Sequence, residues 1–352
     1  MSQHQNRIQK YSSVSTELTC LSNNKLSDII ENANPLHSGI GGKSVLLTIN
    51  EIPVFVKKIS LTDLERQPEN IMSTANLFSL PLFCQYGIGS PGFSAWRELA
   101  TNMMSTNWVI SGQCENFPVL YHWRVLPSPQ NTAMNNQQLE NLEKDICFWE
   151  NSNEVSNRLK AIYNSSANLV LFIEYFPNNL LTWLSGQFNQ NKEDAEKSIK
   201  FVEKNLNQTN GFMNNHGLVH FDTHFENILT DGKLLYFSDF GLALSAKFEL
   251  AENEIEFLAL HQNYDYCRTA ISLLHCISSS FLGTDRWESN IKEYLNGEKD
   301  ILPTGISDIV KKYAPIALSM IEFSRKLISE SKQTTYPADK FKSMLTEIKL
   351  LT

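Results

Sequence analysis

Residues 220–229 have the sequence His-Phe-Asp-Thr-His-Phe-Glu-Asn-Ile-Leu, and the tripeptide Asp239-Phe240-Gly241 follows the apolar run 234–237. Asp231-Gly232 lies between them, a dipeptide typical of a two-residue turn between β-strands. The pattern therefore predicts a polar loop, a β-hairpin and a second polar loop. A hairpin at this point would allow the polar side chains of the two loops to converge on one site.

The order of these residues resembles the catalytic loop H-x-D-x-x-x-x-N and the D-F-G motif of eukaryotic-like protein kinases. His224 is also similar to a histidine of haspin-like kinases and of aminoglycoside and choline phosphotransferases. The resemblance implies ATP and Mg²⁺ as cofactors, with Mn²⁺ as an alternative metal. It implies that Asp222 is the catalytic base for the acceptor hydroxyl, that Asn227 and Asp239 bind the metal, and that His220 braces the loop.

A glycine-rich stretch, residues 38–44, precedes the first β-rich run. Protein kinases have a loop at this point whose backbone N–H groups contact the phosphates, because glycine has no Cβ to obstruct them. The resemblance therefore implies that Gly39, Gly41, Gly42 and Ser44 bind the nucleotide. A simple turn is the alternative.

The run 54–59 resembles the V-A-I-K motif, and strand alternation separates its valines from Lys57. We therefore expect Lys57, rather than Lys58, to contact the phosphates. Its partner carboxylate is expected on a following helix, where Trp96-Arg97-Glu98 resembles the kinase pattern and makes Glu98 the candidate. The alternative for Glu98 is an exposed helix glutamate.

The apolar run 169–176 is expected to be a buried strand that leads into the hinge between two lobes. In the kinase interpretation Ile173 is the gatekeeper, and Glu174 and Phe176 bind adenine through backbone groups. A buried strand without a ligand is the alternative.

Along the chain, β-rich runs come first and helical patterns later, which predicts an α+β fold in two lobes. The predicted organisation is a polar, frayed segment at 1–25, a kinase-like N-lobe at 26–175 and a mainly helical C-lobe at 176–352. Insertions are expected at 60–93 and 127–168.

Local patterns predict helices and strands within this organisation. The predicted helices are 26–32, 61–80, 94–104 and one inside the second insertion, and the predicted strands are 44–49, 54–59, 119–125 and 169–174, with 50–53 as a hairpin turn.

Composition excludes several classes of function. A net charge of −8 and a pI of about 5.6 argue against a surface for nucleic acid or anionic lipid, which needs clustered Lys and Arg. The six cysteines lack metal-site spacing, and we expect them to be reduced. The sequence contains no run of about 20 apolar residues, so we expect no insertion into a membrane. We therefore expect a cytoplasmic protein, and the sequence leaves open its delivery into another cell by a specialised secretion system.

The chain departs from the protein-kinase pattern in ways that leave the phosphate acceptor open. Phe221 occupies the position of an arginine that reads activation-loop phosphorylation, no Ala-Pro-Glu follows Gly241, and Asp265 comes early for the aspartate that anchors the catalytic loop. Asp265 could equally be a helix cap. Three hypotheses follow: a Ser/Thr protein kinase, which we favour; a small-molecule kinase; and a pseudokinase that binds partners. The substitution at 221 also predicts activity without phosphorylation.

Overall fold

The computed structural model describes residues 2–39, 42–128, 135–299 and 302–351, and mixes helices with antiparallel β-sheets, an α+β fold. The chain divides into two compact units. The first unit comprises Met1–Tyr175, Phe240–Ala243 and Lys247–Glu254. The second unit comprises Phe176–Asp239, Leu244–Ala246 and Ile255–Thr352.

A five-stranded antiparallel sheet of order β1-β2-β3-β5-β4 forms the centre of the first unit. In chain order, its helices and strands are α1 (Gln3–Thr19), α2 (Asn23–Glu31), β1 (Asn34–Gly39), β2 (Gly42–Ile49), β3 (Ile52–Leu61), α3 (Ala95–Ile110), β4 (Leu120–Pro127), α4 (Asn136–Phe148), α5 (Asn153–Tyr163) and β5 (Ala167–Glu174). Helix α3 packs against the sheet through a buried apolar cluster that includes Leu61, Leu99 and Leu171.

The predicted frayed segment at 1–25 is wrong, because residues 3–19 form α1. Ser2 and Gln5 make a reciprocal capping box at its start, and Val14 and Leu18 are fully buried. Arg7 extends from α1 to the end of β5, where it binds the carboxylate of Glu174. Polar residues outnumber apolar ones in α1, so the few buried positions gave a weak periodic signal.

The predicted helix at 61–80 is also wrong. Leu61 ends β3, and only the 3-10 turn Pro68–Asn70 is helical in this stretch. Thr62 and Glu65 form a tight turn in which the Glu65 carboxylate accepts hydrogen bonds from the Thr62 backbone and hydroxyl. Pro68 lacks an N–H to continue a helix. The other predicted helices and strands occur with shifted ends, and the described residues of the second insertion contain two helices, α4 and α5.

Two hairpin turns have different lengths from those predicted. Between β2 and β3 only Asn50 and Glu51 lie outside the strands, both with positive φ (48° and 64°), whereas 52 and 53 belong to β3. The loop after the catalytic-loop motif is longer than the two residues predicted, because Thr230 pairs with Leu235. The Asp231 carboxylate holds this loop by accepting hydrogen bonds from the backbone N–H groups of 233 and 234.

The second unit is mainly helical. Its elements are β6 (Asn178–Asn179), α6 (Leu180–Phe188), α7 (Lys192–Asn215), β7 (Leu218–Val219), β8 (Ile228–Thr230), β9 (Leu235–Phe237), β10 (Leu244–Ser245), α8 (Glu252–Leu260), α9 (Tyr264–Phe281), α10 (Trp287–Leu295), α11 (Thr304–Ser329) and α12 (Ala338–Glu347), with the first three residues of α8 belonging to the first unit. Strands β6, β8 and β9 form one small sheet, and β7 pairs with β10. Helices α7, α9 and α11 pack together, and α9 places Asp265 beneath the loop that follows β7. Across the described ranges, no helix combines the length and apolarity needed to cross a membrane.

Candidate active site

Asp265, in the first turn of α9, holds the start of the loop 220–227. Its carboxylate accepts the backbone N–H of His220 at 2.7 Å and that of Phe221 at 2.9 Å, and it is almost fully buried. Burial raises the pKa of Asp265, and the neighbouring His220 and the two N–H donors offset part of that rise. The residue therefore anchors the loop and does not cap its helix, since the N-cap position is Asn263.

Phe221 occupies the point where the loop turns sharply. Its φ of 65° lies in the left-handed region, which disfavours residues with a Cβ. The ring is fully buried and packs against Tyr264, His261 and Phe257, with centroid distances of 4.9, 5.7 and 5.8 Å. Aromatic packing and the Asp265 hydrogen bonds thus compensate for the strained backbone.

His220 connects the loop that carries Asp222 with Ser238, and both lie in the second unit. Its Nδ1 accepts the backbone N–H of Asp222 at 3.3 Å, so the ring proton resides on Nε2. Nε2 then donates to the carbonyl of Ser238 at 3.0 Å, one residue before Asp239. The imidazole braces the loop that carries Asp222 against the strand end that carries Asp239.

Asp222 and Asn227 lie side by side. The amide Nδ2 of Asn227 donates to the carbonyl oxygen and to Oδ2 of Asp222, both at 3.1 Å. The backbone of Asn227 is fixed by Ser238, whose N–H and hydroxyl donate to its carbonyl at 2.9 and 2.7 Å. This arrangement orients the Asp222 carboxylate.

The imidazole of His224 lies beside Asp222. Its Nε2 lies 3.7 Å from Asp222 Oδ2, and its Nδ1 lies 3.6 Å from a carboxylate oxygen of Glu226. Burial lowers the pKa of His224, although the Asp222 carboxylate raises it in part. A largely neutral imidazole can exchange a proton or a hydrogen bond with a polar group beside Asp222.

The second unit also contains the two predicted metal ligands. With Asn227 Nδ2 engaged by Asp222, its oxygen Oδ1 is the side-chain atom suited to a metal, and Asp239 supplies a carboxylate. Amide and carboxylate oxygens are the ligands that Mg²⁺ prefers, so the donor set fits this ion. Asp239 has a φ of 64°, a second strained position in the site. In the part of the chain that the structure describes, no cluster of three or more His, Cys, Asp or Glu side chains forms a metal site.

The first unit brings Lys57 and Glu98 together. Lys57 Nζ lies 2.7 Å from a carboxylate oxygen of Glu98, although the two residues are 41 positions apart, and both are buried. Strand β3 carries Lys57 and helix α3 carries Glu98. Glu98 is therefore not an exposed helix glutamate.

The glycine-rich stretch is described in part. Ser44, on β2, pairs with Lys57 on β3, and Gly39 on β1 pairs with Gly42 on β2. Gly41 lies outside the described residues.

The end of β5 shows what the two hinge candidates contact. The Glu174 carboxylate is engaged by the Arg7 guanidinium at 2.6 to 3.1 Å and by the Val119 N–H at 3.2 Å. These contacts are structural, so only the backbone groups of Glu174 would be available to bind a nucleotide. Phe176 stacks on Tyr236 with a centroid distance of 3.8 Å.

Sequence reasoning missed the Arg7–Glu174 pair and the buried ion pair between Arg97 and Glu254. Neither has a motif, because each joins residues more than a hundred positions apart. The sequence signal for Arg97 was its position directly before Glu98 in the Trp96-Arg97-Glu98 pattern.

Comparison of the sequence with protein-family models and with curated proteins finds no match in either case.

Proposed function

We propose that the protein is an ATP- and Mg²⁺-dependent phosphotransferase that acts on an alcohol, the serine or threonine hydroxyl of a protein. The observation that carries the proposal is the buried Lys57–Glu98 ion pair at 2.7 Å. Each residue lies in a stretch that resembles its own kinase motif, and an unrelated lysine and glutamate 41 positions apart would rarely form a buried ion pair. The loop around Asp222, braced by His220 and Asp265, supports the same interpretation.

In this mechanism Lys57 binds the phosphates of ATP and Glu98 fixes its ammonium group. Asn227 and Asp239 hold Mg²⁺, which when bound offsets the charge of the phosphate oxygens. Asp222 orients the acceptor hydroxyl and receives its proton as the hydroxyl oxygen bonds to the γ-phosphorus and ADP leaves. The Asp265 hydrogen bonds and the packing of Phe221 hold the loop around Asp222 in place before substrate arrives, which lowers the cost of ordering it.

A small-molecule alcohol is the second candidate acceptor, and His224 is the observation that favours it. This imidazole beside Asp222 adds a hydrogen-bonding group suited to a compact polar substrate. The pseudokinase alternative is less well supported, because Lys57, Asp222 and Asp239 are all present. The buried free thiols of Cys84, Cys267 and Cys276 are compatible with a reducing cytoplasm, where ATP and Mg²⁺ are abundant.

The test measures binding and transfer separately. Millimolar Mg²⁺-ATP should raise the melting temperature, because a ligand that binds only the folded protein stabilises it. Labelled ATP should transfer phosphate to a protein in a lysate or to a member of a panel of amino-alcohols and aminoglycosides. Asp222→Asn should abolish transfer and keep the thermal shift, whereas Asp308→Asn, at an exposed aspartate of α11, should change neither. A folded wild-type protein without a thermal shift would refute the proposal.

A further inference from the structure

Arg97 precedes Glu98 on α3 and forms a buried ion pair with the segment that follows Asp239-Phe240-Gly241. Its Nη2 lies 2.7 Å from a carboxylate oxygen of Glu254, and its Nε donates to the carbonyl of Thr74 at 2.7 Å. Both charged side chains are 2% exposed. The guanidinium also lies over the rings of Phe93 and Phe248, at 5.0 and 5.5 Å, which places the positive charge against two aromatic faces.

Further hydrogen bonds tie the same two segments together. The Glu249 carboxylate accepts the Ser73 hydroxyl at 2.6 Å and the Thr74 N–H at 3.0 Å, while the Glu249 N–H donates to the Thr74 hydroxyl at 2.9 Å. The first insertion thereby fastens the segment 247–254 to α3. We call the set Ser73, Thr74, Arg97, Glu249 and Glu254 the clamp.

The insertion also fixes the start of α3. A carboxylate oxygen of buried Glu65 accepts the Ala95 N–H at 2.8 Å, and the Trp96 indole donates to the Glu65 carbonyl at 2.9 Å. Arg158 neutralises the same carboxylate at 2.9 Å. The helix is therefore held at its first turn as well as through Arg97.

Neighbouring residues of an α-helix point about 100° apart around the axis. Glu98 uses one direction to contact Lys57, and Arg97 uses the next to contact Glu254. A rotation or shift of α3 large enough to break one of these ion pairs would strain the other. The two contacts are thus mechanically linked through a single helix.

We propose that Glu254 is a positioning residue whose fixed carboxylate holds α3 so that Glu98 stays paired with Lys57. The inference rests on the proposed phosphotransferase function. In this arrangement a permanent carboxylate supplies the negative charge that a phosphorylated residue supplies elsewhere, so the segment needs no modification to hold the helix. Buried ion pairs contribute little net stability compared with apolar packing. Their better-attested effect is to specify one arrangement of the chain over others.

The experiment compares Glu254→Ala and Glu254→Gln with Glu256→Ala, a control at an exposed glutamate of the same helix. Hydrogen exchange of α3 should accelerate in Glu254→Ala and remain at the wild-type rate in Glu256→Ala. With Mg²⁺-ATP and an acceptor, kcat should fall at least about tenfold in Glu254→Ala, within the usual range of coupling between sites. The KM for ATP should change much less, because positioning acts mainly in the transition state.

Glu254→Gln retains an oxygen acceptor for Arg97 and nearly the same volume, so it should fold even if Glu254→Ala does not. Its kcat should fall below that of wild type, but less than the kcat of Glu254→Ala. An active wild-type enzyme whose Glu254 variants keep wild-type exchange in α3, or turn over within about twofold of wild type, would overturn the inference. An inactive wild type that does not bind Mg²⁺-ATP would overturn the proposed function and the positioning role with it, and hydrogen exchange would then report the clamp as a structural contact only.

Discussion

Replacing Asp265 with Asn tests whether the loop around Asp222 is held by the anchor seen in the structure. The carboxylate uses Oδ2 for the His220 N–H and Oδ1 for the Phe221 N–H. Asparagine has nearly the same shape but keeps only one acceptor, so one backbone N–H would face an NH₂ donor. Hydrogen bonds to a charged group contribute about 1.5–3 kcal/mol each.

Losing one of these bonds and weakening the other costs about 3 kcal/mol. Removing a carboxylate whose ionisation is disfavoured by burial offsets part of that cost, and we expect a net loss of about 2 kcal/mol in the free energy of unfolding. Phe221 adds a second effect, because its left-handed backbone costs about 1–2 kcal/mol and relaxes once the anchor is weakened. Relaxation would displace Asp222, and a displacement of about 1 Å lowers turnover on the order of 100-fold.

The assay is steady-state phosphate transfer from labelled ATP, with urea denaturation and circular dichroism as checks on folding. We expect kcat of Asp265→Asn to fall about 100-fold, while the thermal shift with Mg²⁺-ATP is largely retained. Asp308→Asn serves as the matched control on an exposed helix surface. A folded Asp265→Asn variant with turnover within about threefold of wild type would refute the anchoring argument.

Three further predictions concern other contacts. Lys57→Met should leave Glu98 buried without its cation, lower the free energy of unfolding by about 3 kcal/mol and abolish transfer. Lys58→Met should lower the free energy of unfolding much less. Equal losses for the two variants in urea denaturation would contradict the assignment of Lys57. Arg158 and Thr62 outweigh the effect of burial and hold the pKa of Glu65 below its ordinary 4.5. Its contribution to stability is therefore present above that pH and lost as pH falls through the lower, folded-state pKa. The stability difference between wild type and Glu65→Gln should therefore shrink below pH 4.5, as measured by urea denaturation across this pH range. Ser245→Ala and phosphatase treatment should each leave turnover within about threefold of wild type, and a loss above about tenfold, or 1.4 kcal/mol, would contradict independence from phosphorylation.

Local motifs made the loop around Asp222 predictable from sequence, because its chemistry depends on residues close together in the chain. Asn227 and Asp222 are five positions apart, and the hydrogen bond between them follows from that spacing. The Lys57–Glu98 contact was reached across 41 positions only because each residue had its own pattern. The α+β class followed from the order of β-rich and helical runs.

Contacts without a motif were not predictable in this way. Helix α1 is fixed by Arg7 against Glu174 and by a few buried side chains, and its polar composition suggested a frayed end. The stretch 61–80 has apolar residues, yet the buried Glu65 carboxylate organises it as turns, and its partner Arg158 lies 93 positions away. In both places a buried ion pair stabilises the observed conformation. Apolar periodicity cannot predict such a pair, because it contains no information on charged partners that are distant in the sequence.

Phosphorylation near Asp239-Phe240-Gly241 would need an accessible hydroxyl and a cation to bind the new phosphate. Ser245, the first hydroxyl residue after Gly241, is 1% exposed and pairs with Leu218 across two short strands, so a modifying enzyme would reach it only after local unfolding. Many protein kinases have an arginine at the position of Phe221 that binds the phosphorylated residue. Here the buried ring of Phe221 occupies that position and packs on Tyr264. The charge that such a switch would create is already present as Glu254 beside Arg97. Control of this protein is therefore expected to act on the supply of substrate or on a partner that perturbs α3, and not on the chemistry of this segment.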